Sequence, residues 1–243
     1  LARFAEYLRG DFAPYVREVG AHVLETAQQA PNERVHETTI SIVPFLAASL
    51  ANAARRSNGD AKLQEATREF AAAAVNLLSV GVVTEELDVE FQHLYIQTLC
   101  ELLQRLHDEG ASNFLSGELM HNCVQMFNEL VENAWLRREE RSEEREDEDH
   151  DDDLEASFQR EEEQDSSILV NAIEMLENTF KTHGAAFVPH WQTLLPLAAK
   201  WLDDQNPPKY LIPLDRHLAV WCVCALRRAG RSETDACACA ACW

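Results

Sequence analysis

Two stretches far apart in the chain echo each other: "DFAPYVREVGAHVLETA" (Asp11–Ala27) and "AFVPHWQTLLPLAAKWL" (Ala186–Leu202). Each places a Phe, then a Pro, then an aromatic or His residue, and then an apolar run. In the first stretch Tyr15, Val16, Val19, Val23 and Leu24 recur with the 3.6-residue period of a helix that buries one face. Asp11 is a candidate cap, and Pro14 fits a first helical turn, where its missing N–H costs nothing. The two stretches are offset by 175 residues, close to four units of roughly 40–47 residues, the length of a repeating helix pair.

Working outward, the chain reads as helix after helix. A second helix is expected over about Arg34–Ala54, kinked at Pro44, and a third over Lys62–Val80. A fourth covers about Leu87–His107, a fifth starts near Phe114 and runs past Trp135, a sixth covers Ser166–Thr182, and a seventh covers Phe187–Leu202. "APNE", "SNGD" and "DEGASN" supply the breaks. One such pair cannot bury its own apolar face, and stacking neighbours does it. The expected fold is therefore all-α, a HEAT/armadillo-type α-α superhelical solenoid.

The chain has 42 acidic and 21 basic residues and a net charge of −21. That balance disfavours a nucleic-acid backbone or an anionic membrane surface and favours basic protein partners. No apolar run is long enough to read as a membrane span. The opening "LARFAEYLRG" lacks a Met and starts in mid-pattern, as a fragment would. Cys100 and Cys123 sit alone on helical faces and read as buried free thiols, which suits a reducing compartment.

The segments "FAPYVREVGAHVLE", "ERVHETTISIVPFLAAS", "SSILVNAIEMLENTFKTHGAAFVPHWQTLLPLAAKWL" after an acidic block, and "LDRHLAV" (Leu214–Val220) carry a family resemblance over about residues 1–220. Their order is similar to the middle-to-late HEAT repeats of the importin-beta (karyopherin-beta) superfamily, most of all its importin-5 branch. The resemblance implies part of a nuclear import receptor, moving between cytoplasm and nucleus through the nuclear pore. It implies basic cargo such as ribosomal proteins or histones, phenylalanine-glycine nucleoporins as pore contacts, and cargo release by the GTP-bound Ran GTPase. It implies no enzymatic activity and no cofactor. A structural scaffold built from HEAT repeats is the alternative reading.

The acidic block is the segment with most to say about partners. From Glu139 to Asp165 there are 16 acidic and 3 basic side chains, a net of −13 in a ninth of the chain. Arg137, Arg138, Arg141 and Arg145 alternate with Glu, so i,i+3 and i,i+4 pairs on the same helix can carry the fifth helix into solvent. Beyond Glu146, self-repulsion predicts an extended or disordered stretch over Asp147–Asp153. As an electrostatic lure for Lys/Arg-rich segments, the candidate residues are Glu143, Glu144, Glu146, Asp147, Glu148, Asp149, Asp151, Asp152, Asp153 and Glu155. Such a field raises the association rate more than the final affinity. A calcium loop starting at Asp147 fails, because Asp152 stands where the turn glycine belongs and Phe158 where the bidentate Glu belongs.

Chemistry-bearing patterns are sparse. Glu90–His93 and Glu118–His121 have the Glu-x-x-His spacing of di-iron bundles, but both fall on the polar sides of consecutive helices. No phosphate loop, nucleophile elbow or catalytic cluster is visible, and no metal site is expected. Trp135, Trp191 and Trp201 are candidate groove aromatics between neighbouring helices, with Phe158, Phe180 and Phe187 as further ones. The ending "WCVCALRRAGRSETDACACAACW" brings Cys222, Cys224, Cys237, Cys239 and Cys242, a spacing that fits zinc poorly. It departs from the family pattern and reads as an aberrant terminus. The expected organisation is helical repeats over 1–136, an acidic insertion over 137–165 (helix extension, then flexible loop), repeats again over 166–220, and a Cys-rich tail over 221–243.

Overall fold

The computed structural model describes residues 1–29, 32–58, 60–84, 89–146, 152–191 and 193–194. All regular structure among them is helical: α1 (Ala2–Leu8), α2 (Ala13–Gln29), α3 (Glu33–Ile40), α4 (Val43–Arg56), α5 (Ala61–Val83), α6 (Val89–Asp108), α7 (Gly117–Glu144), α8 (Asp152–His183) and α9 (Val188–Trp191), with short 3-10 turns after α1 and α8. Polar residues start several of them. The side chain of Asn32 accepts a hydrogen bond from the Val35 N–H, that of Asp60 from Lys62, and that of Ser116 from Leu119. Each satisfies one orphan N–H of a first turn.

Three sequence expectations change. The helix expected over Arg34–Ala54 is two helices, because the chain turns at Ser41–Ile42 and Pro44 begins α4 instead of kinking a longer rod. Pro is well placed in a first turn, where no N–H bond is lost. The second change is α1, an additional short helix packed on α4. The third is α8, which begins at Asp152, well before the expected start near Ser166, so residues 152–165 are helix instead of loop. The remainder of the stretch expected to be extended, Asp147–Asp151, lies outside the described residues, as do Trp201, the Cys-rich tail and most of the expected seventh helix.

The helices stack in two layers. One row runs α2, α5, α7, α9, and the other runs α4, α6, α8; cross-contacts between the rows join α2 to α4, α5 to α4 and α6, and α7 to α8. The core is continuous along the stack. Ile96, Leu99, Leu102, Leu103 and Leu106 of α6 are fully buried and lie between two neighbours in their row. At about 1.5–3 kcal/mol for each such side chain removed from water, this burial is the dominant favourable term in the fold. Close approach matters at Gly81, where a Cβ would lie 2.2 Å from the Tyr95 ring, so only glycine lets α5 and α6 meet there. By length and composition α5 is apolar enough to cross a membrane. Its Ala71, Ala74, Val75, Leu78 and Val82 are core residues of the stack, which accounts for that composition.

Candidate protein-binding surface: the paired acidic helices

α7 and α8 run on together beyond the apolar core as an antiparallel pair. Arg137 and Arg141 on α7 and Arg145 at its C-cap recur every fourth residue and so share one face. Opposite them α8 offers Asp165 to Arg137 and Arg141, Glu161 to Arg141, and Glu162 and Glu155 to Arg145. The Arg137 guanidinium donates to Asp165 Oδ1, with Nε at 3.0 Å. Arg141 donates Nη2 to Asp165 Oδ2 at 2.9 Å and Nη1 to Glu161 at 3.5 Å. Arg145 donates Nε to Glu155 at 2.9 Å and Nη2 to Glu162 at 2.9 Å.

Burial divides this ladder. At its inner rung the side chains of Arg141 and Asp165 are only 4% and 3% exposed. A pair so desolvated gains little net stability over apolar residues, but losing one partner is costly, so it fixes pairing and register. The outer rung at Arg145 is about one-third exposed and is worth little on its own. Hydrogen bonds to Glu155, the largest cause, and to Glu162 raise the Arg145 pKa further. The Arg145 guanidinium also lies 5.4 Å above the Phe158 ring, whose buried face closes the base of the tip.

The ladder takes up one set of carboxylates and leaves another in solvent. Glu143 and Glu144 at the end of α7, Glu146 beyond it, and Asp152 and Asp153 in the first turn of α8 are exposed. Glu155 belongs to the ladder. The lure candidates Asp147, Glu148, Asp149 and Asp151 lie outside the described residues. The sequence reading missed the ladder because it paired each Arg with Glu on its own helix. The signal was there: one basic and one acidic stripe, each with helical spacing, in opposite order.

Among the groove aromatics, Trp135 is half-buried, donates Nε1 to Glu139 at 2.8 Å, and has Arg138 5.5 Å from its ring. The Trp191 side chain and Trp201 lie outside the described residues. Phe158, Phe180 and Phe187 are buried.

Of the Glu-x-x-His candidates, Glu118 and His121 are exposed, as expected, while His93 serves packing. His93 is not on an open polar face; it takes Ser167 Oγ at 3.0 Å and Asn171 Nδ2 at 3.2 Å and so pins α6 to α8. Among the described residues no three metal-capable side chains gather. Cys100 and Cys123 are buried free thiols, and burial, the main cause, pushes both up to about 12. Thiols so protonated are poor nucleophiles.

Residues 91–204, which include α7, α8 and their acidic tip, match a family model described as Importin repeat 6. The karyopherin Kap121p bound to the SUMO protease Ulp1p matches with a TM-score of 0.65 and 18% identity, over 93% of this chain and 18% of that one. Kap121p alone matches with a TM-score of 0.67 and 18% identity, over 94% and 20%. Kap121p bound to Ste12p gives 0.66 and 18%, over 90% and 18%. The chain thus spans about a fifth of the length of these solved chains. No curated protein sequence matches it significantly. At this identity the solved structures speak for the fold, and the repeat match for residues 91–204. Residues 91–204 are thus similar to an importin repeat, and the chain takes an all-α, HEAT-type superhelical fold like that of the Kap121p structures.

Proposed function

We propose that this chain is part of a nuclear import receptor of the importin-5 type, and that the exposed carboxylates at the α7–α8 tip draw in basic segments of cargo. The observation that carries this reading is the importin-repeat match over 91–204, because it contains the acidic tip itself. Kap121p, the structural neighbour, has been crystallised with Ste12p, Pho4p and Ulp1p. Release by GTP-bound Ran, passage by phenylalanine-glycine nucleoporins, and residence in cytoplasm and nucleus belong to the same proposal.

The tip presents its carboxylates on a braced helical pair. Glu143, Glu144, Glu146, Asp152 and Asp153 thus stand at a defined place on the stack. At physiological salt the field reaches about 8 Å, so it acts on encounter. Removing Glu143–Asp153 should slow association of a fluorescent Lys/Arg-rich peptide severalfold at low salt and flatten the salt dependence of the on-rate, read by stopped flow. An unchanged on-rate and salt slope would refute the lure and favour the scaffold alternative.

A further inference from the structure

The Glu-x-x-His motif of α7 leaves one imidazole without a role in packing. His121 is exposed near the start of α7, and its Nε2 has the Gln125 side-chain amide at 3.5 Å, a weak contact. The chain returns a second imidazole to the same place. The 3-10 turn after α8 leads into Phe187, which is fully buried, and the His190 N–H donates to the Phe187 carbonyl at 3.0 Å. His190 of α9 is thereby set against the start of α7. The His121 and His190 ring centres lie 6.2 Å apart. His190 Nε2 stands 3.8 Å from where a Cβ on Gly117 would be, so it reaches α7 one turn before His121. The His190 ring is half-buried and makes no hydrogen bond among the described residues.

Ligand geometry fits this pair. A ring nitrogen holds zinc at about 2.0–2.1 Å, which puts the ring centre roughly 3.2 Å from the ion and two rings that share it at most roughly 6.4 Å apart. The observed 6.2 Å falls within that limit. A tetrahedral angle at the ion brings the centres to roughly 5.2 Å, an approach of about one ångström that rotation of the exposed His121 side chain supplies. Burial first, and the facing His121 second, hold the His190 pKa below its ordinary value, so that imidazole is neutral at physiological pH, the form that binds metal. Glu118, one turn before His121 on the same helix, does not complete a set of three.

We propose that His121 and His190 chelate one divalent transition-metal ion, of the zinc, nickel or copper class, and so staple α9 to α7. Each ring gives one nitrogen, and water fills the other positions. Imidazole suits these ions, whereas calcium and magnesium require oxygen ligands. The ion sits at the joint between two rods of one row, at the end of α7 opposite to Glu143 and Glu144. Held across that joint, it stabilises the stacked form by mass action, because the separated rods offer single imidazoles. The sequence gives no hint of the site, since its two ligands meet only through the packing of α9 on α7.

The test uses the full chain with its histidine side chains labelled for NMR, titrated with nickel ions, whose paramagnetism broadens the resonances of bound rings. The chain has 9 His and 7 Cys, so a residue-specific signal is needed. His121 and His190 are expected to broaden together, at a lower nickel concentration than any other imidazole. In His121→Ala, a change at an exposed site, the nickel concentration that broadens His190 should rise about tenfold or more, because a second tethered ligand is lost. Circular dichroism establishes that the variant is folded. Removal of Glu143–Asp153 should leave the titration unchanged, so failure here is separate from failure of the cargo reading. Earlier broadening of another histidine, broadening of His121 and His190 at separate concentrations, or an unshifted His190 response in His121→Ala would overturn the proposal.

Discussion

The helix α8 is held in two ways along its length. Over its C-terminal half, Ile168, Leu169, Ala172, Met175 and Leu176 are buried in the same core cluster as Leu99, Leu102, Leu103 and Leu106 of its row neighbour α6. Over its N-terminal half, Asp165, Glu162, Glu161 and Glu155 face a line of arginines on α7. The first half is stabilised by area removed from water, a sum of many small terms. The second depends on a few partners, each of which leaves a charge behind if its mate is lost. The apolar seam should thus tolerate swaps of shape, and the ionic tip should not tolerate swaps of charge.

The sharpest break is expected at the apolar seam. Leu102 is fully exposed to neighbours and not at all to water, so Leu102→Ala removes buried methyl groups from the centre of the stack. A loss of about 3 kcal/mol is expected in urea unfolding, with both halves of α8 losing amide protection together. If only the tip loosened, the two halves would not be coupled through α6.

Next comes the inner rung. Asp165→Asn leaves Arg141 buried with Glu161 as its remaining charged partner, at 3.5 Å. The cost is below that of breaking a fully buried pair, because Arg137 is partly exposed and Arg141 keeps Glu161, so about 2 kcal/mol is expected. The loss should appear as faster amide exchange over residues 137–165, with the protection of Leu99–Leu106 unchanged. Equal loss in both regions would show that the tip is not an independent unit.

This contrast also explains what could be read from the sequence. The apolar period placed α2, α5, α6, the start of α7 and the end of α8 within a few residues, because a buried face repeats whatever its partner. The break before α4 escaped, since Pro44 inside a long helix and Pro44 opening a new one look alike in sequence. The helical start of α8 escaped for an electrostatic reason. Like charges over Asp147–Asp153 argue for an extended chain, and only the three-dimensional pairing reveals that Arg137, Arg141 and Arg145 neutralise the acidic stripe that follows. The acidic tip was therefore legible as charge and not as shape.

The smallest effect distinguishes the two halves of α8 by pH. His183 closes the apolar end, buried, with its ring 4.8 Å from Phe114 and Nε2 without a hydrogen-bond partner. Burial lowers its pKa from the ordinary 6.5 to about 4. A depressed pKa means that the unfolded chain binds the proton more readily, so this contribution is complete above about pH 6.5 and is lost as pH falls toward 4. The urea midpoint of the native chain should drop between about pH 7 and pH 5, and that of His183→Leu should drop less. The difference between the two chains assigns the change to the apolar end. Equal drops in the two chains would mean that the imidazole finds a water or a partner when charged, and that the apolar seam is wetter at its end than its packing indicates.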